Sequence, residues 1–88
     1  MIPTPGRTIT VKGLLSNNTD EHPAIITRVH NAQGYTGHGV FYVNATVLPD
    51  MLPPSPRGSI AFYETRELAL IHRGNHPHDL VGFWPDKV

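Results

Sequence analysis

The chain has 88 residues, with seven Lys and Arg against seven Asp and Glu, six His, nine Pro, eight Gly and no Cys. That length accommodates one domain, residues 1–88, and a chain this short buries only about 60–65% of the surface its unfolded form exposes, which leaves little room for a deep catalytic cleft. The absence of Cys excludes disulfides and thiolate metal sites, and a formal net charge of zero removes the electrostatic footprint of a protein that binds nucleic acid mainly by neutralising phosphates.

Residues 7–12 alternate polar and apolar, which places Ile9 and Val11 on one face of a strand and Thr8, Thr10 and Lys12 on the other, with an end expected near Gly13. Residues 16–23 are polar, rich in side chains that hydrogen-bond their own backbone, and read as a loop. Residues 24–30 form a second strand candidate whose apolar set alternates less strictly. Gly34, Gly37 and Gly39 then mark residues 31–39 as a mobile connection. The strongest strand signal covers residues 40–48, with Phe41, Val43, Ala45 and Val47 on the inward row and Tyr42, Asn44, Thr46 and Leu48 on the outward one.

Residues 51–58 carry Pro53, Pro54 and Pro56 and read as a rigid loop excluded from a central sheet, because proline lacks a ladder donor. Its polyproline character would also suit a recognition peptide, but no flanking arginine pattern other than Arg57 accompanies it. Residues 59–64 are strand-like again. Residues 65–74 fit two readings: a short helix capped by Thr65 and ended by Gly74, or a buried strand over Leu68, Ala69, Leu70 and Ile71. A polar loop over 74–79 precedes a last strand over 80–85, which holds the only Trp. Five or six short strands joined by Gly- and Pro-rich turns, with at most one short helical turn, indicate an all-β domain closed, or partly closed, into a small barrel.

Three segments, Pro23-Ala24-Ile25-Ile26-Thr27-Arg28-Val29, Val43-Asn44-Ala45-Thr46-Val47-Leu48-Pro49-Asp50 and Phe83-Trp84-Pro85-Asp86-Lys87-Val88, resemble in order those of a group of small tailed-phage and prophage proteins of uncharacterised function. The resemblance runs from about Arg7 to Val88. It implies an SH3-like barrel and no established catalytic activity. This chain departs from the group's pattern at Gly82, where the closing segment often carries its first aromatic, and in a longer loop before Val40.

The densest set of metal-ligand types is His72, His76, His78 and Asp79, whose spacing would let imidazoles and a carboxylate converge on Zn, Ni or Cu. Nothing in the sequence fixes their geometry, so solvated loop histidines are the preferred reading and no cofactor is expected. Asp20, Glu21 and His22 bring together acid–base groups before Pro23, but catalysis needs a pocket that a polar loop does not supply. No nucleophile elbow, phosphate loop or paired-carboxylate spacing is present, and no enzyme is expected.

The aromatic pairs Phe41-Tyr42, Phe62-Tyr63 and Phe83-Trp84 each place one ring inward and one outward on a regular strand. Tyr42, Tyr63 and Trp84 are then the candidate binding residues, provided they share one exposed face; otherwise they cover strand edges or meet a neighbouring subunit. The expected partner is a phage or host protein or a second copy of the chain. A nucleic-acid-binding barrel and a hydrolase using the histidine cluster are the alternatives. The start of the chain shows no signal-peptide pattern and no stretch is long and apolar enough to span a bilayer, so the host cytoplasm or a virion is the expected location. Asn17-Asn18-Thr19 and Asn44-Ala45-Thr46 match a glycosylation acceptor that acts only in secreted proteins.

Overall fold

Ile9 and Val11, the apolar positions of the first alternating segment, are fully buried in the computed structural model, which describes residues 3–16, 18–30 and 41–85. Their strand, β1 (Thr8–Ser16), runs past the expected end at Gly13. Gly13 adopts φ +125, and a Cβ there would lie 2.8 Å from the Leu80 side chain, so only glycine lets the strand pass beneath the segment around Asp79 and Leu80. Ser16 pairs with Thr19, and Asn18 takes the left-handed conformation that a tight hairpin demands.

The hairpin leads directly into β2 (Thr19–His30), which corrects the reading of residues 16–23 as a loop. Lys12 opposes Glu21 and Val11 opposes His22 in a regular antiparallel ladder. Pro23 is tolerated inside this strand: its carbonyl accepts from Leu48 N–H at 2.9 Å, just beyond the last β2–β3 pair, where no further ladder donor is needed. Residues 31–40, with the expected connection and Tyr35, lie outside the described residues, as do Asn17 and the last three residues of the closing segment.

β3 (Phe41–Val47) realises the strongest strand signal, with Val43, Ala45 and Val47 buried. β4 (Ser55–Tyr63) begins inside the Pro-rich stretch, so the expected exclusion of residues 55–58 from the sheet is also corrected. Pro56 opposes Thr46 of β3, while β5 pairs with β4 only over Ala61, Phe62 and Tyr63, which leaves Pro56 on a one-sided portion of the strand. The ambiguous segment is a helix, α1 (Arg66–Asn75): Thr65 caps it by accepting from Leu68 N–H at 3.3 Å, and His76 N–H closes its end on His72 O at 2.8 Å. β5 (Val81–Phe83) runs parallel to β4 and antiparallel to β1, closing a five-stranded barrel in the order β1-β2-β3-β4-β5. This is the small all-β barrel the strand pattern indicates, and it is compatible with an SH3-like architecture.

Two apolar clusters hold the structure. The barrel interior is filled by Ile9, Val11, Ala24, Ile26, Val43, Ala45, Val47, Ile60 and Phe62. A second cluster lies outside the barrel, where Ala69 of α1 meets Ala61, Val81 and Phe83. Small residues facing each other, Ala69 and Ala61, let the helix approach the sheet closely. Among the described residues no helix is long and apolar enough to cross a membrane.

Candidate functional site

The three aromatic candidates do not form one exposed face. Tyr42 and Tyr63 lie on the outer surface and pack against the second cluster, whereas Trp84 packs against the barrel interior. Its ring meets Phe62 edge-on at a centroid distance of 5.0 Å, its Nε1–H donates to Glu64 Oε2 at 3.1 Å, and the Arg7 guanidinium sits 5.4 Å above it. Trp84 therefore binds the N-terminal segment to β4 and β5. All three rings are half-buried.

Tyr63 belongs instead to a hydrogen-bonded chain. Asp79 Oδ2 lies 2.9 Å from His72 Nε2, and His72 Nδ1 lies 2.7 Å from Tyr63 Oη. Because a carboxylate only accepts, His72 carries its proton on Nε2, and in the neutral ring Nδ1 accepts from the tyrosine hydroxyl. Burial, with the neighbouring Tyr42 and Asp79, pushes the Tyr63 hydroxyl above its ordinary value of 10.0. His72 holds Asp79 below the usual carboxylate range. A phenol kept protonated is a poor nucleophile, so the chain acts as a latch across β4, α1 and the segment before β5. Both ring nitrogens of His72 are committed, His76 lies beside it at 4.8 Å between ring centroids, and His78 is exposed. Among the described residues, no group of three or more His, Asp or Glu side chains is placed to hold a metal ion.

Asp20, Glu21 and His22 lie on β2 with separate tasks. Lys12 Nζ binds both carboxylate oxygens of Asp20 at 2.9 and 3.0 Å, and Arg66 grips Glu21 through two bonds of 2.8 and 3.2 Å. The Lys12 hydrogen bond lowers the Asp20 pKa and the Arg66 hydrogen bond lowers that of Glu21, each against the opposing effect of burial. His22 is buried; its Nε2–H donates to Leu14 O at 2.8 Å and its Nδ1 accepts from Asp50 N–H at 3.4 Å. The Ser16 hydroxyl donates to Asp50 O. A buried imidazole thus fixes the turn after β3 to the β1–β2 hairpin.

That turn presents apolar side chains to solvent. Met51 follows Asp50 in a left-handed conformation, φ +65, and is 83% exposed; Leu52 is 53% and Leu15 73% exposed. A non-glycine residue held at positive φ carries strain of about 1–3 kcal/mol, which persists only where the surroundings enforce it. Met51 and Leu52 fall in the expected loop over 51–58 and Leu15 lies beyond the expected strand end near Gly13; the bonds from Asp50 to Ser16 and His22 tie the two segments together.

A second surface, on which no helix packs among the described residues, lies on the outside of β2 and β3. Ile25 opposes Thr46, Arg28 opposes Asn44 and His30 opposes Tyr42, while α1 packs on β4 and β5. The chain gives no match to protein-family models, curated proteins or solved structures.

Proposed function

We propose that the protein is a non-catalytic protein-interaction module of SH3-like form, an accessory protein of a tailed phage or prophage that contacts a phage or host protein. The observation that carries this reading is the apolar end formed by Leu15, Met51 and Leu52. These are large apolar side chains held on backbone that Ser16 and His22 pin in place, and a fixed, exposed apolar group loses little freedom on binding. The helix side supports the same reading from the opposite direction. Its polar groups are engaged with one another in the latch and in the Arg66–Glu21 pair, an arrangement suited to stability rather than turnover.

The sequence resemblance to small phage and prophage proteins supplies the biological setting, and the aromatic candidates become supports of the fold rather than its contact residues. Affinity capture with tagged protein from prophage-induced cells tests the reading when the double variant Leu15→Asp, Met51→Asp is run beside the parent chain. The variant is expected to fold, because both side chains are exposed, and to lose the captured phage or host protein. Identical capture by both chains would overturn the proposal.

A further inference from the structure

Two strands change register around the same residue. β2 shifts against β3 between Ile26 and Arg28, and β4 shifts against β3 between the partners of Val43 and Ala45, so Asn44 lies between bulges on both sides. Each bulge is fastened to Asn44. The Thr27 hydroxyl donates to its backbone carbonyl at 3.1 Å, and its side-chain Oδ1 accepts from Ser59 N–H at 3.0 Å and from His30 Nε2 at 3.0 Å. Ser59 is held at φ +55, and a Cβ on Gly58 would come within 3.3 Å of Asn44 Oδ1.

The bulge decides where Arg28 points. His22, Ala24 and Ile26 alternate inward along β2, and an unbroken strand would send Arg28 into that same row. The extra residue moves Arg28 to the outer face as the cross-strand neighbour of Asn44, while Val29 takes the inward place opposite Val43. With Oδ1 occupied, the Asn44 amide offers only its two Nδ2 hydrogens. Arg28 is exposed and makes no hydrogen bond or ion pair among the described residues. A guanidinium, an amide donor and a bare glycine backbone therefore adjoin on three neighbouring strands, with exposed Ile25 on the same face of β2.

Resting on the interaction-module reading, we infer that the Arg28–Asn44 face is a carboxylate-binding subsite through which the module engages an acidic segment of its protein partner. All the free side-chain groups named there are donors, which selects an anion. A guanidinium beside an amide matches the planar geometry of one carboxylate. A nucleic-acid strand is the poorer occupant, since it needs a track of cations and this chain carries no net charge.

The test measures binding of a fluorescent hexaglutamate peptide by anisotropy, with an oligothymidylate of equal charge as the second probe. The full chain is expected to bind hexaglutamate in preference. Arg28→Gln and Asn44→Asp should each weaken binding about tenfold, the effect of losing a hydrogen bond to a charged group; Arg28→Lys should recover only part. Asn44→Asp retains an oxygen for Ser59 N–H and His30 Nε2, and an unchanged urea transition would show that the bulges survive. Equal binding by Arg28→Gln, no binding of hexaglutamate by the parent chain, or preference for oligothymidylate would each overturn the inference. Applied to the captured partner, the same variant separates the two proposals. If Leu15→Asp, Met51→Asp abolishes capture and Arg28→Gln leaves it intact, the subsite falls and the module stands; if neither changes it, both fall.

Discussion

The side of the barrel covered by α1 and the side formed by β2 and β3 are built from the same kind of strand but treat their polar groups in opposite ways. Beneath the helix, Tyr63, His72 and Asp79 satisfy one another, Arg73 Nη1 donates to the carbonyls of Pro77 and Asp79, and Ala69, Val81 and Phe83 exclude water between them. On the other side, two bulges and a strained serine hold Asn44 and Arg28 toward solvent, and Ile25 is left 41% exposed. In a domain of this size the interior alone is modest, so the helix seam is a second core. The other side is then free to present Arg28, which makes no hydrogen bond or ion pair among the described residues.

The contrast breaks most severely at Phe83. Truncating it to Ala removes the largest apolar member of the second cluster, and a loss of about 3–5 kcal/mol is expected, read from the midpoint of urea unfolding. Helical signal and barrel should be lost in one transition if the seam is part of a single cooperative unit. Tyr63→Phe is a gentler probe of the same side. It deletes the hydroxyl that His72 Nδ1 accepts from and should cost about 0.5–1.5 kcal/mol, with the ring's packing retained.

Acid should act on the junction between helix and hairpin. The Arg66 hydrogen bond stabilises the Glu21 carboxylate and holds its folded pKa below the ordinary value of 4.5. Its contribution is therefore fully present above about pH 4.5 and is lost as pH falls through the lowered folded value. Asp20, lowered from 3.8 by its Lys12 hydrogen bond, has the same sign of pH dependence. The side chain of Glu21 is 29% exposed, so the pair is worth no more than about 1 kcal/mol. Glu21→Gln should lower stability by that amount at pH 7 and flatten the acid limb of a stability-against-pH curve. An unchanged acid limb in the variant would show that Arg66 and Glu21 are not coupled in solution.

The interior row of the barrel was the most legible part of the molecule, because Ile9, Val11, Val43, Ala45 and Val47 alternate with polar residues and burial follows alternation directly. The polar start of β2 was not. Thr19, Asp20 and Glu21 have the composition of a loop, and they form strand because Lys12 and Arg66 supply ion pairs where a hydrophobic row would otherwise declare itself. Residues 55–58 join the sheet against their composition for a related reason: proline is excluded only where both flanks of a strand are paired, and one-sidedness is a property of the finished barrel. The helix depended on what faces it, since its apolar run contains a buried Ala69 beside exposed Leu68 and Ile71. Of the candidate site, Tyr63 and the pair His72 and Asp79 were each visible as residues, while their junction across three elements was not. The loose alternation of residues 24–30 was the written trace of the bulge at Thr27, a change of phase that brings Arg28 out and Val29 in.

The smallest effect on stability is expected where the open side matters most. Arg28 makes no hydrogen bond or ion pair among the described residues and is exposed, so Arg28→Gln should lower stability by less than about 0.5 kcal/mol, read from the urea midpoint. Thr27→Val provides the opposing control. It deletes the hydroxyl that fastens the bulge to Asn44 O and, if the bulge relaxes, drives Arg28 toward the row of Ala24 and Ile26. Burying an unpaired guanidinium is far costlier than losing one exposed hydrogen bond, so this variant should be clearly less stable than Arg28→Gln, and the double variant Thr27→Val, Arg28→Gln should recover part of the loss. Additive effects in that double-mutant cycle would mean that the bulge is set by the strands around it and not by the need to keep Arg28 outside.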